Sequence, residues 1–124
     1  MKTAFDPRHL KRRETLKYLF AEDFTHQPNL NQMAKNVVAK LPKIDNKIEK
    51  AATAWPVDKL NRIDLAILRL AIYEMENENT PPKVVIDEAV ELAKEFGAES
   101  SAAFVNGVLG TIYSNIGKEI KSDG

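Results

Sequence analysis

The 124-residue chain predicts an all-α fold. Three observations carry that prediction. Apolar residues recur at intervals of three and four along most of the length, the spacing of one helix face. Proline, asparagine, aspartate and glycine fall between those runs, where caps and breaks belong. One central stretch is apolar on two opposite sides, as a helix enclosed by others must be.

Asp6-Pro7 opens the first helix, since Asp caps and Pro fits the first helical position, where no N–H is needed. Leu16, Leu19, Phe20 and Phe24 extend it from about Pro7 to Phe24, and Thr25-His26-Gln27-Pro28-Asn29 breaks it. A stripe follows at Leu30, Met33, Val37, Leu41, Ile44, Ile48, Ala51 and Trp55. Pro42 inside it predicts a kink or a split, because proline removes one hydrogen bond and crowds the preceding turn. From about Asp58 to Met75, Ile63, Ala66, Ile67 and Leu70 make one face; Leu65, Leu68, Ile72 and Met75 make the other. After a polar loop at 77–80, Pro81 or Pro82 starts a helix carrying Val85, Ile86, Ala89, Val90, Ala93 and Phe96. Gly97 stands in the place of a C-terminal glycine. Ser100 or Ser101 caps the last helix, whose stripe is Phe104, Val108, Ile112, Ile116 and Ile120, joined by Val105, Leu109 and Tyr113. Asn106-Gly107 is a hairpin signal, but its flanking apolar runs are two residues long and the helical register continues through it. The reading is helix, with Gly107 admitting a neighbouring backbone, so that Gly107→Val would overpack by about 1–3 kcal/mol.

Leu, Ile, Val and Phe supply 33 of the 124 residues, above the roughly 20% below which disorder is the better reading. One domain spanning 1–124 fits this length. The absence of cysteine excludes disulfides, a thiolate nucleophile and Cys-based zinc sites. With no signal-like apolar stretch at the start and no 18-residue apolar run, the chain reads as cytoplasmic, with no membrane partner. Its zero net charge hides a polarity: residues 1–62 hold 13 basic and 7 acidic side chains, residues 63–124 hold 5 and 11. Such polarity reads either as different partners at the two ends or as a scatter of solvated charges.

Catalytic patterns are missing: there is no Gly-rich phosphate loop, G-x-S-x-G, HExxH or CxxC. Nothing nominates a nucleophile, base and orienting group together, so the reading is a non-enzyme with no catalytic residue, no metal and no cofactor. Glu88, Glu91 and Glu95 share a helix face expected to be solvated. His26 has no identifiable partner, and His9, among basic residues, reads as a phosphate contact. The strongest functional signal is basic: Lys2, Arg8, Lys11, Arg12, Arg13 and Lys17 fall within the first 17 residues. On a helix, Arg8, Lys11 and Arg12 project together near the N-terminus, where the macrodipole disfavours cations and attracts phosphate. An anionic partner justifies that arrangement; a solubilising arm is the competing reading. Arg8 and Arg12 precede the first strongly apolar position, Leu16, so replacing both with Ala is expected to change stability by no more than about ±0.5 kcal/mol per site.

Three blocks then carry a family resemblance: Leu60-Asn-Arg-Ile-Asp-Leu-Ala-Ile-Leu-Arg-Leu-Ala-Ile-Tyr-Glu74, Pro81-Pro-Lys-Val-Val-Ile-Asp-Glu-Ala-Val-Glu-Leu-Ala-Lys-Glu-Phe-Gly97 and Ser101-Ala-Ala-Phe-Val-Asn-Gly-Val-Leu109. In that order they resemble the NusB family of bacterial transcription antitermination factors. Arg8 to Arg12 with Leu19-Phe20 resembles the family's arginine-rich motif and first helix, so the likeness covers roughly residues 7–24 and 41–113. It implies two small packed bundles around the central two-faced helix. It also implies binding of boxA-type RNA together with the small-subunit ribosomal protein NusE. The pair then joins an RNA polymerase antitermination complex that reads through terminators in ribosomal RNA operons.

Carried onto this sequence, the resemblance assigns Arg8, Lys11 and Arg12 to RNA, with Arg13 as an extra cation. Phe20 and Phe104 match aromatics that border the RNA surface and also fit core stripes. Ser100 falls where many members carry an acidic residue. Asp64 and Glu74 match acidic positions able to meet the ribosomal protein. A homodimer covering the RNA surface is a further implication. Two departures stand out: the arginine run is thinner, and a helix that longer relatives carry near residues 25–29 is missing. The alternative from another class is an accessory RNA-binding domain related to the N-terminal domain of a ribosomal RNA cytosine methyltransferase. That enzyme needs a following catalytic domain with a Gly-rich loop, a motif absent from these 124 residues.

Overall fold

A computed structural model describes residues 6–52 and 56–123, with side chains as far as residue 116. Lys2, Trp55 and the side chain of Ile120 lie outside the described residues. Helix α1 runs Pro7–Phe24. Asp6 caps it by accepting from the Arg8 N–H at 2.9 Å, and Pro7 occupies its first turn. The stripe after Leu30 is cut in two rather than kinked, into α2 (Gln32–Val38) and α3 (Leu41–Ala51). Pro42 sits in the first turn of α3, the one place where its missing N–H costs no helical bond. Asn31 caps α2 by accepting from Ala34 N–H, and its amide donates to Thr15 Oγ1, tying α2 to α1.

Helix α4 spans Arg62–Asn77 and starts four residues later than the sequence predicts. Val57–Lys59 winds as a 3-10 turn and Leu60 is extended, so Asn61 becomes the cap, accepting from the Ile63 and Asp64 N–H groups. The Arg62 guanidinium fixes this corner by donating to Val57 O, Leu60 O and Asp23. Leu65, Ala66, Ile67, Leu68, Leu70, Ala71, Ile72 and Tyr73 are all buried, so the helix is apolar on both sides as predicted. It touches all five other helices. Helices α1 and α2 pack on one part of it, and α3, α5 (Pro82–Phe96) and α6 (Ser101–Asp123) on another.

Helix α6 runs unbroken through Asn106-Gly107, and no hairpin forms. Its buried positions are Val105, Val108, Leu109 and Ile112, whereas Tyr113 is exposed. The predicted role of Gly107 is overturned: a Cβ there would meet nothing within 4 Å. The glycine that does admit a close neighbour is Gly97. A Cβ on it would lie 2.5 Å from both Cβ and Oγ of Ser101 and 2.7 Å from Ala93 O. Its φ is −91°, so clearance between α5 and α6 selects this glycine, not a left-handed backbone. Ser101, not Ser100, satisfies the turn, its Oγ accepting from the Ala98 N–H at 2.9 Å.

Candidate nucleic-acid interface

Winding α1 separates the basic cluster into three groups. Arg8 and Lys11 are exposed and line a cleft of about 510 Å³ whose far wall includes Asn79, Thr80, Pro81 and Val84, with Glu78 at its edge. Arg13, half exposed, lies over the Phe96 ring, 5.5 Å from its centroid, with Nε 3.1 Å from Glu95 Oε2. Lys17 borders a second cleft of about 590 Å³ with Phe20, Phe24, Arg62 and Phe96. Phe20 is half-buried and meets Phe24 edge-to-face at 5.0 Å, while Phe24 is 64% exposed. Ser100 is exposed at the start of α6, and Phe104 is half-buried against the core.

Arg12 also lines the first cleft, beside Glu74, but from its buried side. It is 8% exposed, and its Nε donates to both carboxylate oxygens of Glu74, at 2.9 and 3.2 Å. Glu88 Oε1 lies 3.9 Å away. The expectation that Arg12 stands outside the core is therefore corrected. The physical reason is register: His9, Arg12, Leu16 and Leu19 are spaced 3, 4 and 3, so Arg12 prolongs the buried leucine stripe by one turn. His9 is buried too, with Nδ1 3.2 Å from Glu88 Oε2 and Nε2 2.5 Å from Glu95 Oε1. His9 is thus a clamp between α1 and α5, not a phosphate contact.

The same register places the predicted partner-facing carboxylates inside. Asp64 and Glu74 are each 6% exposed, because Asp64, Ile67, Ala71 and Glu74 again follow a 3, 4, 3 spacing. Burial pushes the Glu74 carboxyl above the ordinary range, opposed by the charge and hydrogen bonds of Arg12. Burial also raises Asp64, opposed by a hydrogen bond from Ser101; its Oδ1 has no partner. Both carboxylates therefore lie within the helix packing rather than on the exposed surface the sequence predicts. The acidic face of α5 is likewise only partly solvated: Glu88 is buried and Glu95 binds His9 and Arg13, leaving Glu91 near Lys94. His26 has a partner after all, Glu22 at 2.8 Å. Among the described residues, no three His, Cys, Asp or Glu side chains gather in a way that could hold a metal ion.

Two clefts flank α1. One offers Arg8 and Lys11, which make no ion pair among the described residues, beside Glu78, Asn79 and Thr80; the other offers Lys17 beside aromatic faces. Cations position phosphates, and exposed aromatic rings either stack bases or meet an apolar surface of another protein. Lys17, Phe24 and Phe96 were missed from the sequence as a group, although Phe20 and Phe24 stand at helical spacing.

Comparison with known proteins agrees with this architecture. The profile of the NusB family matches residues 5–114. A transcription antitermination protein NusB of Dehalococcoides mccartyi is 45% identical over 103 residues, covering 80% of this chain and 72% of that protein. One of Chloroflexus aggregans is 56% identical over 72 residues, covering 56% and 48% respectively. The chain thus spans from about half to nearly three quarters of these curated relatives. Among solved structures, NusB of T. maritima superposes with a TM-score of 0.78 at 32% identity, covering 90% of this chain and 92% of that one. A structure of NusB and NusE in complex with double-stranded RNA shares the fold, with a TM-score of 0.74 at 24% identity over 89% of this chain and 99% of that one. The chain belongs to the NusB family.

Proposed function

We propose that this protein is a non-enzymatic transcription antitermination factor that binds boxA-type RNA together with a NusE-type ribosomal protein. In that role it supports read-through of ribosomal RNA operons as part of a transcribing RNA polymerase complex in the cytoplasm. The observation that carries the reading is the exposed Arg8–Lys11 pair beside its cleft, on the helix whose sequence resembles the family's arginine-rich motif. Its relatives are named transcription antitermination proteins, and a protein of the same fold is described with NusE and RNA. Arg13 and Lys17 on the other flank, with Ser100 and Phe104 at the α5–α6 turn, extend the RNA surface. With Asp64 and Glu74 inside, the ribosomal protein is assigned to the apolar patch around Phe20, Phe24 and Ile63, the kind of exposed surface that marks protein contacts.

The test is fluorescence anisotropy with a boxA-type RNA, with and without the ribosomal protein. Arg8→Ala/Lys11→Ala should lower the slope of log affinity against log salt by roughly 1.4, about 0.7 per phosphate lost on single-stranded RNA. It should leave the melting temperature and binding of the ribosomal protein alone unchanged. An unchanged slope and affinity would reduce the α1 cations to a solubilising arm.

A further inference from the structure

The charge polarity is not exhausted by α1. Lys40, Lys43, Lys47 and Lys50 follow at intervals of 3, 4 and 3 along α3. At about 100° per residue they occupy one arc with Asn46, while Ile44 and Ile48 occupy the buried side. Lys43, Asn46, Lys47 and Lys50 form one wall of a groove of about 200 Å³, facing Asn115 across a floor of Ile112 and Ile116 of α6. Lys47 also reaches Glu76. Lys40, Lys43 and Lys50 are exposed and make no ion pair among the described residues. Of the two carboxylates within α3, Asp45 is engaged by Arg69 at 2.8 and 2.9 Å, and Glu49, next to Lys50 in sequence, stands outside the lysine arc. No acidic side chain occupies the first turn of α3, so its leading cations work against the macrodipole. Fold stability alone does not explain the leading pair, Lys40 and Lys43, whereas Lys50, in the last turn, sits where the dipole favours a cation.

We infer that the α3–α6 groove is a second RNA surface that takes the phosphodiester backbone of a strand extending beyond the α1 site. This rests on the proposed RNA-binding role. Lys43 and Lys50 lie about 10 Å apart along the helix axis, at 1.5 Å per residue, far enough to meet different phosphates of one strand. Asn46 and Asn115 supply amides of the kind that hydrogen-bond phosphate and sugar oxygens. The exposed large apolar side chains Leu10, Phe24, Val84 and Tyr113 do not line the groove, so it lacks the anchors of a protein–protein hot spot. Helix α4 separates α1 from α3, so one strand must pass around the body to engage both.

The experiment compares a short boxA-type RNA with the same RNA carrying an unstructured single-stranded tail. Lys43→Gln/Lys50→Gln should lower the salt slope for the tailed RNA by roughly 1.4 and leave the short RNA unaffected. Arg8→Ala/Lys11→Ala should weaken both. Wild-type slopes and affinities in the α3 variant overturn this inference without touching the α1 reading. Loss confined to the α3 variant, with the α1 variant unchanged, overturns the α1 reading instead. If a polyglutamate peptide binds through Lys43 and Lys50 while the RNA tail does not, the face belongs to an acidic protein and the inference fails. Lys43→Arg/Lys50→Arg, which keeps the charge, should retain the tail-dependent affinity.

Discussion

Helices α1 and α3 both open on cations and both pack against α4, yet they place those cations differently. Helix α1 buries His9, Arg12 and Thr15 beside Leu16 and Leu19, whereas α3 buries only Ile44 and Ile48, pairs Lys47 with Glu76 at its side and leaves Lys43 and Lys50 in solvent. The difference follows the type of cation. Arginine presents a rigid, weakly hydrated fork that matches a carboxylate; lysine presents a strongly hydrated point charge. Arg12 grips Glu74 inside the core, Arg69 grips Asp45 and Asp23, and Arg62 ties Asp23 to two backbone carbonyls. Two cation-rich helices therefore differ in where their own cations go: Arg12 of α1 pairs inside the core, whereas α3 pairs with α4 through Asp45 and Lys47 and leaves Lys43 and Lys50 in solvent.

The largest effect that would break this contrast comes from Arg12. Arg12→Ala leaves the Glu74 carboxylate buried without its partner and should destabilise the fold by about 3–5 kcal/mol. Lys43→Ala on α3 should stay within about ±0.5 kcal/mol. Removing both charges in Arg12→Met/Glu74→Leu should recover most of the loss, since an apolar pair of similar volume replaces a buried ion pair at little cost. Urea denaturation of the four proteins decides it. If Arg12→Ala proves as benign as Lys43→Ala, the α1 seam is not held by charge.

A second contrast sets charge on the α1 side against backbone clearance at the α5–α6 corner. Gly97→Ala forces its Cβ against the Ser101 side chain and the Ala93 carbonyl and should cost about 1–3 kcal/mol by overpacking. Ser101 has little room to yield, because its hydroxyl holds the Ala98 N–H and bonds Asp64. A melting temperature equal to wild type would show that the corner opens freely.

How much of this was legible in the sequence depends on which signal carried it. The 3- and 4-residue spacing, Asp6-Pro7, Pro42 and Pro81-Pro82 define the helices because each acts locally through caps and missing N–H groups. The start of α4 was misplaced because a 3-10 turn moved the cap to Asn61, a choice that depends on how Arg62 braces the corner. The site was harder. Polar residues were sorted by charge, while the fold sorted them by register: His9-Arg12-Leu16-Leu19, Asp64-Ile67-Ala71-Glu74 and Val85-Glu88-Leu92-Glu95 share the same 3, 4, 3 spacing. Each stripe inserts a polar side chain into an apolar row, and the three helices meet where those side chains pair. That pattern was present in the sequence; the pairing of Arg12 with Glu74, 62 positions away, was not.

The smallest effect concerns the misread glycine, Gly107, and has the opposite sign. Gly107 is exposed on α6, inside a continuous helix, with nothing within 4 Å of a Cβ added there. Glycine in a helix interior is about 0.8–1.0 kcal/mol less favourable than alanine, chiefly through the backbone freedom it loses on folding. Among the described residues nothing offsets that cost, because the side-chain hydrogen bond on this turn, Thr111 Oγ1 to Gly107 O at 3.1 Å, uses the backbone and survives the change. Gly107→Ala should therefore stabilise the protein by about 0.8–1.0 kcal/mol, seen as a higher urea midpoint at unchanged m-value. It sharpens the contrast with Gly97, where the same added methyl should destabilise. A loss of stability at Gly107 would mean that a neighbouring backbone approaches this face, as the sequence first suggested.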